Sequence, residues 1–327
     1  MENKWNDSDA RISCGVSEVR GIFRYGTDRT RRMRPCGNSN LNDGGTMKTK
    51  LQRSPLLFTV VSSALVVACA PAESPLTLYE FDCGVIRFES ITMFGVGDDE
   101  TDVRDMIVPC YVVEHPAGSL LWEGGLPLAI AEAGDWVESP PVLLRQDQTL
   151  AEQLPSIGHA IDAFDYVAFS HMHFDHVGAS SEVQGATLLI QQAEFDAAFA
   201  DSVTVPFFDP AVYEGLRNAP RELLDGEHDV FGDGRVRIIP APGHTPGHQV
   251  LFVDLAEEGP VVLAGDLYHF RESRSDTRVP EINVDSALTI MTMGRIEQMV
   301  IDEGAQLWIE HDMAAFLERQ SGSNVHR

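Results

Sequence analysis

From Thr77 onward, apolar residues come in short runs separated by Gly, Pro and acidic residues. Thr77-Leu78-Tyr79-Glu80-Phe81-Asp82 alternates and predicts a strand. Residues 110–114 and 119–123 predict two more, joined by a turn at His115-Pro116-Ala117-Gly118. Glu123-Gly124-Gly125 ends the second of these sharply. Residues 149–157 predict a helix, and residues 160–169 predict a helix end running into a buried strand at Tyr166-Val167-Ala168-Phe169. Strands are also expected at 186–190, 236–240, 249–253, 261–264 and 307–309, and a helix at 193–200. A long helix should start near Asp285, bury Leu288, Met291, Met299 and Val300, and stop at Gly304. A short helix closes the chain. Strands crowd the first part and alternate with helices later. This order fits an α/β protein, an αββα sandwich of two β-sheets flanked by helices, in one domain over residues 77–320.

The first 76 residues show no such pattern until Met47. Residues 1–46 carry Trp5 and Arg31-Arg32-Met33-Arg34 without apolar periodicity, and read as a disordered or wrongly assigned upstream segment. Lys48, Lys50 and Arg53 then precede a short apolar stretch, residues 56–68. That is the layout of an export signal, and the stretch is short for a membrane span. Val66-Val67-Ala68-Cys69 resembles the lipobox of a bacterial lipoprotein. The expectation is a start at Met47, a signal peptide over 47–68, a lipidated Cys69, and a tether over 69–76. The protein would then sit in the cell envelope, touching membrane only through its lipid anchor. A plain secretory signal or a membrane anchor are the alternatives, and both also export the chain.

Charge sharpens the picture once the leader is set aside. The first 68 residues hold 11 of the 24 Lys and Arg but only six of the 50 Asp and Glu, which leaves 13 basic and 44 acidic, a net charge of −31. Such a domain repels polyanions, which excludes nucleic acid as a natural partner. Beyond Cys69 only Cys83 and Cys110 remain. A disulfide and two buried thiols are both open.

The chemistry concentrates in Ser170-His171-Met172-His173-Phe174-Asp175-His176-Val177-Gly178. Four metal-competent side chains lie within six positions, just after a predicted strand. Imidazole and carboxylate suit zinc or a similar divalent ion. Three more strand ends carry His244, Asp266 and His311. Seven such residues on rigid strand ends are enough for two ions sharing a carboxylate. No Gly-x-Ser-x-Gly elbow is present.

Together, the His-x-His-x-Asp-His-x-Gly run from His171, the stretch Pro242-Gly243-His244-Thr245-Pro246-Gly247-His248, Gly265-Asp266 and the late His311 resemble the metallo-β-lactamase superfamily. Within it, the chain most resembles the N-acyl homoserine lactone lactonases. The resemblance implies one zinc on His171, His173 and His244, a second on Asp175, His176 and His311, and Asp266 as the bridge. It implies hydrolysis of a small lactone by a hydroxide bridging the two zinc ions, with Asp175 handing a proton to the leaving alkoxide. Homodimers are common in that family. The sequence departs from it twice. Glu123-Gly124-Gly125 stands where an Asp-x-Gly turn is usual. The tyrosine that holds the substrate carbonyl lies slightly further from the bridging Asp in the family, so Tyr268 is the nearest match. His248 reads as structural, His269 as a supporting neighbour of the ligands, and His115, His159, His228 and His326 as surface residues. Met93, Phe94, Phe207 and Phe208 could line an acyl pocket or simply pack the core.

Rival readings differ in their needs. A β-lactamase does not call for Asp266. Glyoxalase II needs a helical domain after His311, where only 16 residues remain. An RNase Z-like nuclease conflicts with the charge, and a flavodiiron protein needs Glu at position 173. A phosphotriesterase or other dinuclear esterase shares the ligand set, and a zinc-binding lipoprotein without catalysis would keep the ions but no turnover.

Overall fold

The computed structural model describes residues 75–327. The leader, the lipobox with Cys69 and most of the tether lie outside them. In chain order the elements are β1 (Thr77–Phe88), β2 (Asp105–His115), β3 (Gly118–Trp122), α1 (Leu128–Ala133), β4 (Val137–Ser139), β5 (Val142–Arg145), α2 (Leu150–Gln153), β6 (Tyr166–Ala168), β7 (Thr187–Gln191), α3 (Gln192–Ala198) and α4 (Pro210–Tyr213). There follow β8 (Arg221–Leu224), β9 (His228–Asp229), β10 (Val236–Pro240), β11 (Gln249–Leu255), β12 (Gly259–Leu263), α5 (Arg271–Asp276), α6 (Ser286–Glu303), β13 (Gln306–Trp308), α7 (Met313–Gly322) and β14 (Val325–His326).

Two mixed sheets form. The first runs β4-β5-β1-β2-β3-β6-β7-β8, with β14 also on β1, and the second runs β13-β12-β11-β10-β9. Strand alternation sorts side chains into three layers. On β2, Tyr111 and Val113 face the second sheet, while Cys110 and Val112 face helices. On β11, Leu251 and Val253 meet the first sheet, while Val250 and Phe252 meet α6. The middle layer is sealed by Trp122, Leu120, Ile238, Leu263 and their neighbours. Each fully buried Val, Leu, Ile or Phe contributes about 1.5–3 kcal/mol. The order is helix, sheet, sheet, helix, as the pattern predicts.

Local signals explain the helix ends. Thr149 and Glu152 form a reciprocal capping box on α2. Asp285 caps α6 by accepting from Leu288 N, and Gly304 ends it in the left-handed region at φ 65°. The face of α6 is shifted from expectation. Thr289, Thr292, Met293, Ile296 and Val300 are buried, whereas Met291 is 71% exposed. Two positions from Thr289 is about 200° around a helix, so Met291 must point outward.

Two further expectations change, and the open question of the two cysteines is settled. Residues 160–165 form turns rather than a helix end. The domain does not stop at 320: β14 pairs with β1, Leu78 opposite His326, and His326 is buried beside Glu258 rather than on the surface. Cys83 and Cys110 are joined in a disulfide between β1 and β2. Among the described residues no helix is long and apolar enough to cross a membrane.

Candidate metal centre

The loops after β3, β6, β10, β12 and β13 converge on one cleft. They bring together two groups of buried side chains: His171, His173, His244 and Asp266 in one, Asp175, His176 and His311 in the other. Asp266 lies between them. Its Oδ2 is 3.6 Å from His171 Nε2 and 3.2 Å from His244 Nε2. Its Oδ1 is 3.4 Å from His176 Nε2 and 2.9 Å from His311 Nε2. Asp175 Oδ2 is 3.7 Å from His176 Nε2 and 3.9 Å from His311 Nε2.

The outer nitrogens are tied down, which aims the inner ones. His171 Nδ1 lies 2.9 Å from Ser170 Oγ, His244 Nδ1 2.8 Å from Asn283 Oδ1, and His311 Nδ1 2.7 Å from the Ile107 carbonyl. His176 Nδ1 is 3.2 Å from Glu123 Oε2, and Glu123 Oε1 accepts from Ser170 N. Glu123 therefore does serve at the turn where the family has Asp, with its backbone at φ 67°. Such anchors fix ring orientation and basicity. The glycines of that turn brace the ligand loop: Gly124 N donates to the His176 carbonyl, and Gly178 N to the Gly125 carbonyl. A Cβ on Gly178 would fall 2.0 Å from the Leu126 carbonyl oxygen, so only glycine fits there.

No local motif marks Glu194, an acidic residue in the first turn of α3. Its buried carboxylate accepts from Met172 N, Thr245 Oγ1 and Gly247 N, so it holds the His171 loop to the His244 loop. His248 is structural as expected: it accepts from Asp266 N through Nε2 and contacts the Ala241 carbonyl through Nδ1.

The cluster suits divalent ions. His171 Nε2 and His176 Nε2 are buried with no hydrogen-bond partner, and such orphans are costly unless something else engages them. His173 Nδ1 and His244 Nε2 face each other at 3.2 Å. Burial, then the neighbouring imidazoles, holds His171 and His173 well below the usual histidine range, so both are neutral. Burial pushes Asp266 upward, but His269, His311, His176 and His171 outweigh it and keep the carboxylate ionised. Imidazoles converging on an ionised carboxylate are a donor set for zinc-like ions.

Tyr268 is a correction. It is extended (φ −142°, ψ 135°), so successive side chains go to opposite sides. Its ring packs under α6 and its hydroxyl donates to Glu297 Oε1, 3.1 Å away. Burial, then the Glu297 charge, raises its phenol. It does not border the cleft. The residue that does is His269, whose Nε2 lies 3.0 Å from Asp266 Oδ2.

Beside the cluster lies a largely apolar cavity of about 180 Å³. Met93, Phe94 and Phe207 line it, with Phe88, Pro141, Phe174 and Ile282, and its polar end is His173, Asp175, Asp266, His269 and His311. Phe208 is different: it is buried in the core against Tyr213.

Residues 103–294 match the model of the metallo-beta-lactamase superfamily. The chain belongs to that superfamily. An N-acyl homoserine lactonase from a Bacillus species is 27% identical over 231 residues, 68% of this chain and 87% of that protein. The N-acyl homoserine lactonase AttM of Azorhizobium caulinodans is 28% identical over 223 residues, 64% of this chain and 83% of that one. The fold matches an N-acyl homoserine lactone hydrolase solved with N-hexanoyl-L-homoserine at its catalytic metal centre (TM-score 0.63, 23% identity, 76% of this chain and 96% of that one). It also matches AidC, a dizinc quorum-quenching lactonase (TM-score 0.54, 17% identity, 72% and 87%).

Proposed function

We propose that this superfamily member is a dinuclear zinc hydrolase that opens the ring of N-acyl homoserine lactones. The observation that carries the reading is Asp266, whose two oxygens face two separate histidine groups next to an apolar cavity of acyl-chain character. The names of its relatives support the same substrate class.

Two bound zinc ions would supply Lewis acidity and a water acidified to near neutral pH. His171, His173 and His244 would hold one ion, Asp175, His176 and His311 the other, with Asp266 shared. The remaining work falls to the chain itself. Glu123, Asn283 and the Ile107 carbonyl keep the inner nitrogens turned inward. Phe94, Met93 and Phe207 exclude water and give an acyl chain apolar surface, which orients the lactone carbonyl toward the histidines. Asp175 borders both the cavity and the His176–His311 group, so it can take the proton of the attacking water and return it to the ring alkoxide. The leaving oxygen stays on the same molecule, so no nucleophilic Ser or Cys is required.

Acid release from a panel of short- and long-chain N-acyl homoserine lactones tests this, with an aryl ester and a phosphotriester as controls. Ring opening that stops on chelation and returns with zinc supports it. Turnover of the phosphotriester alone would move the assignment to the neighbouring esterase class. Export as a Cys69 lipoprotein is part of the same proposal, and the Cys83–Cys110 disulfide supports an oxidising compartment. Mass spectrometry of the native N-terminus checks it: an unmodified chain beginning before Met47 would defeat it.

A further inference from the structure

His269 is the sixth imidazole of the cleft, after the five histidines of the two groups, and no role in holding an ion requires it. It is 2% exposed. Its Nε2 lies 3.0 Å from Asp266 Oδ2, while its Nδ1 has no hydrogen-bond partner. The ring is packed against Phe94 at 4.7 Å between centroids and lies 5.8 Å from His311 in a stacked arrangement. It borders the apolar cavity and a neighbouring one of about 530 Å³, so it forms part of the wall that both share. A buried ring fixed by aromatic stacking, with one nitrogen on the central carboxylate and the cavity at its face, is placed to touch whatever enters.

The contact to Asp266 is the informative one. Oδ2 is also the carboxylate oxygen nearest His171 and His244. When that oxygen is engaged on the histidine side, the His269 N–H needs another acceptor. His269 lines the cavity, so an oxygen of a molecule bound there can take that place. Tyr268, beside it in sequence, cannot serve, since its hydroxyl is committed to Glu297.

We propose that His269 is the substrate-contacting donor of this site: its Nε2–H hydrogen-bonds the reacting carbonyl oxygen and the oxyanion that forms there. This rests on the hydrolase reading above and takes the part that Tyr268 was expected to play. A preorganised donor aimed at a developing oxyanion accounts for about 10²–10³ in rate. No proton changes hands; the imidazole only donates.

His269→Phe keeps the stacking and removes the donor. Metal content should stay at the wild-type level, kcat should fall on the order of 100-fold, and KM should change less than tenfold. His269→Tyr and His269→Asn restore a donor and should recover at least part of kcat. Should the Phe variant not fold, these two against His269→Leu make the same comparison. A second readout needs no turnover. In the cobalt-loaded protein, the visible spectrum before ligand should be the same for wild type and His269→Phe. Titration with ring-opened N-hexanoyl homoserine should then show at least tenfold weaker binding in the variant. Unchanged kcat and unchanged binding in His269→Phe would overturn the proposal. So would loss of metal or an altered spectrum before ligand, because His269 would then be an ion ligand. A wild type that opens no lactone sinks the lactone assignment alone, and the cobalt titration, repeated with acetate, still decides His269.

Discussion

The cleft has a polar floor and an apolar wall, and the two are built differently. The floor consists of strand ends. His171, His244, Asp266 and His311 each follow a strand by a few residues, and each is locked by a second contact from Ser170, Asn283, His248 or the Ile107 carbonyl. The wall is assembled from pieces between strands: the turn carrying Met93 and Phe94, the β4–β5 hairpin with Pro141, and the segment with Phe207. Phe207 is 46% exposed and sits at φ 60°. Rigid elements fix chemistry to fractions of an ångström, whereas connecting segments vary and set what is accepted. The floor should therefore govern rate and metal content, and the wall should govern substrate choice.

The largest effect should come from the centre of the floor. Asp266→Ala removes the carboxylate that both histidine groups face, and should lower bound metal and cut turnover by at least about 10³-fold. Elemental analysis and rate on the same sample check it. Asp175→Asn should keep most of the metal yet lose about 10²–10⁴-fold in kcat, because the amide cannot carry the proton. Retained activity there would break the assigned proton role.

Glu194 tests the floor from beneath. Glu194→Ala strands the Met172 and Gly247 amides in a buried site, costing about 3 kcal/mol. In a domain of this size that lowers Tm by roughly 6–12 °C, read by calorimetry. A variant with unchanged Tm would show that the two ligand loops hold themselves.

pH sharpens the same point. Burial, then the neighbouring His244, depresses His248 to about 3. Its folded form is neutral, while the unfolded chain takes up a proton near 6.5. The stability it contributes is thus complete above about pH 6.5 and is lost progressively as pH falls toward 3. His248→Gln should flatten that part of the Tm-against-pH curve.

The smallest effect belongs to the wall. Phe94→Ala or Phe207→Ala should leave metal content alone and shift the ratio of kcat/KM between long and short acyl chains about tenfold, since a few methylenes in an apolar pocket carry 1–3 kcal/mol. Equal losses for every chain length would merge wall and floor.

The same division governs what the sequence reveals. The floor was legible because its residues are chemically distinctive and sit in short motifs after apolar runs. The two-sheet layering was legible in the order of the elements, strands crowding first and then alternating with helices; β2 and β11 are apolar on both faces because each packs between two layers. Glu194 and Asn283 escaped because their partners lie 22 to 53 and 39 residues away, distances that no local pattern encodes. The small strands β4, β5, β8, β9 and β14 escaped because two to four residues carry too little periodicity. Tyr268 misled for a subtler reason. Proximity in sequence to Asp266 says nothing of direction, and one step along an extended backbone reverses it, which is why His269 and not Tyr268 meets the cleft.

The central claim is that two ions held around Asp266 open a lactone presented by the apolar wall. Metal analysis and acid release, measured on one sample of the domain against short- and long-chain N-acyl homoserine lactones, test it most directly. The expected result is two zinc-like ions per chain and ring opening that disappears with the metal. Full metal loading with no ring opening at any chain length would contradict it.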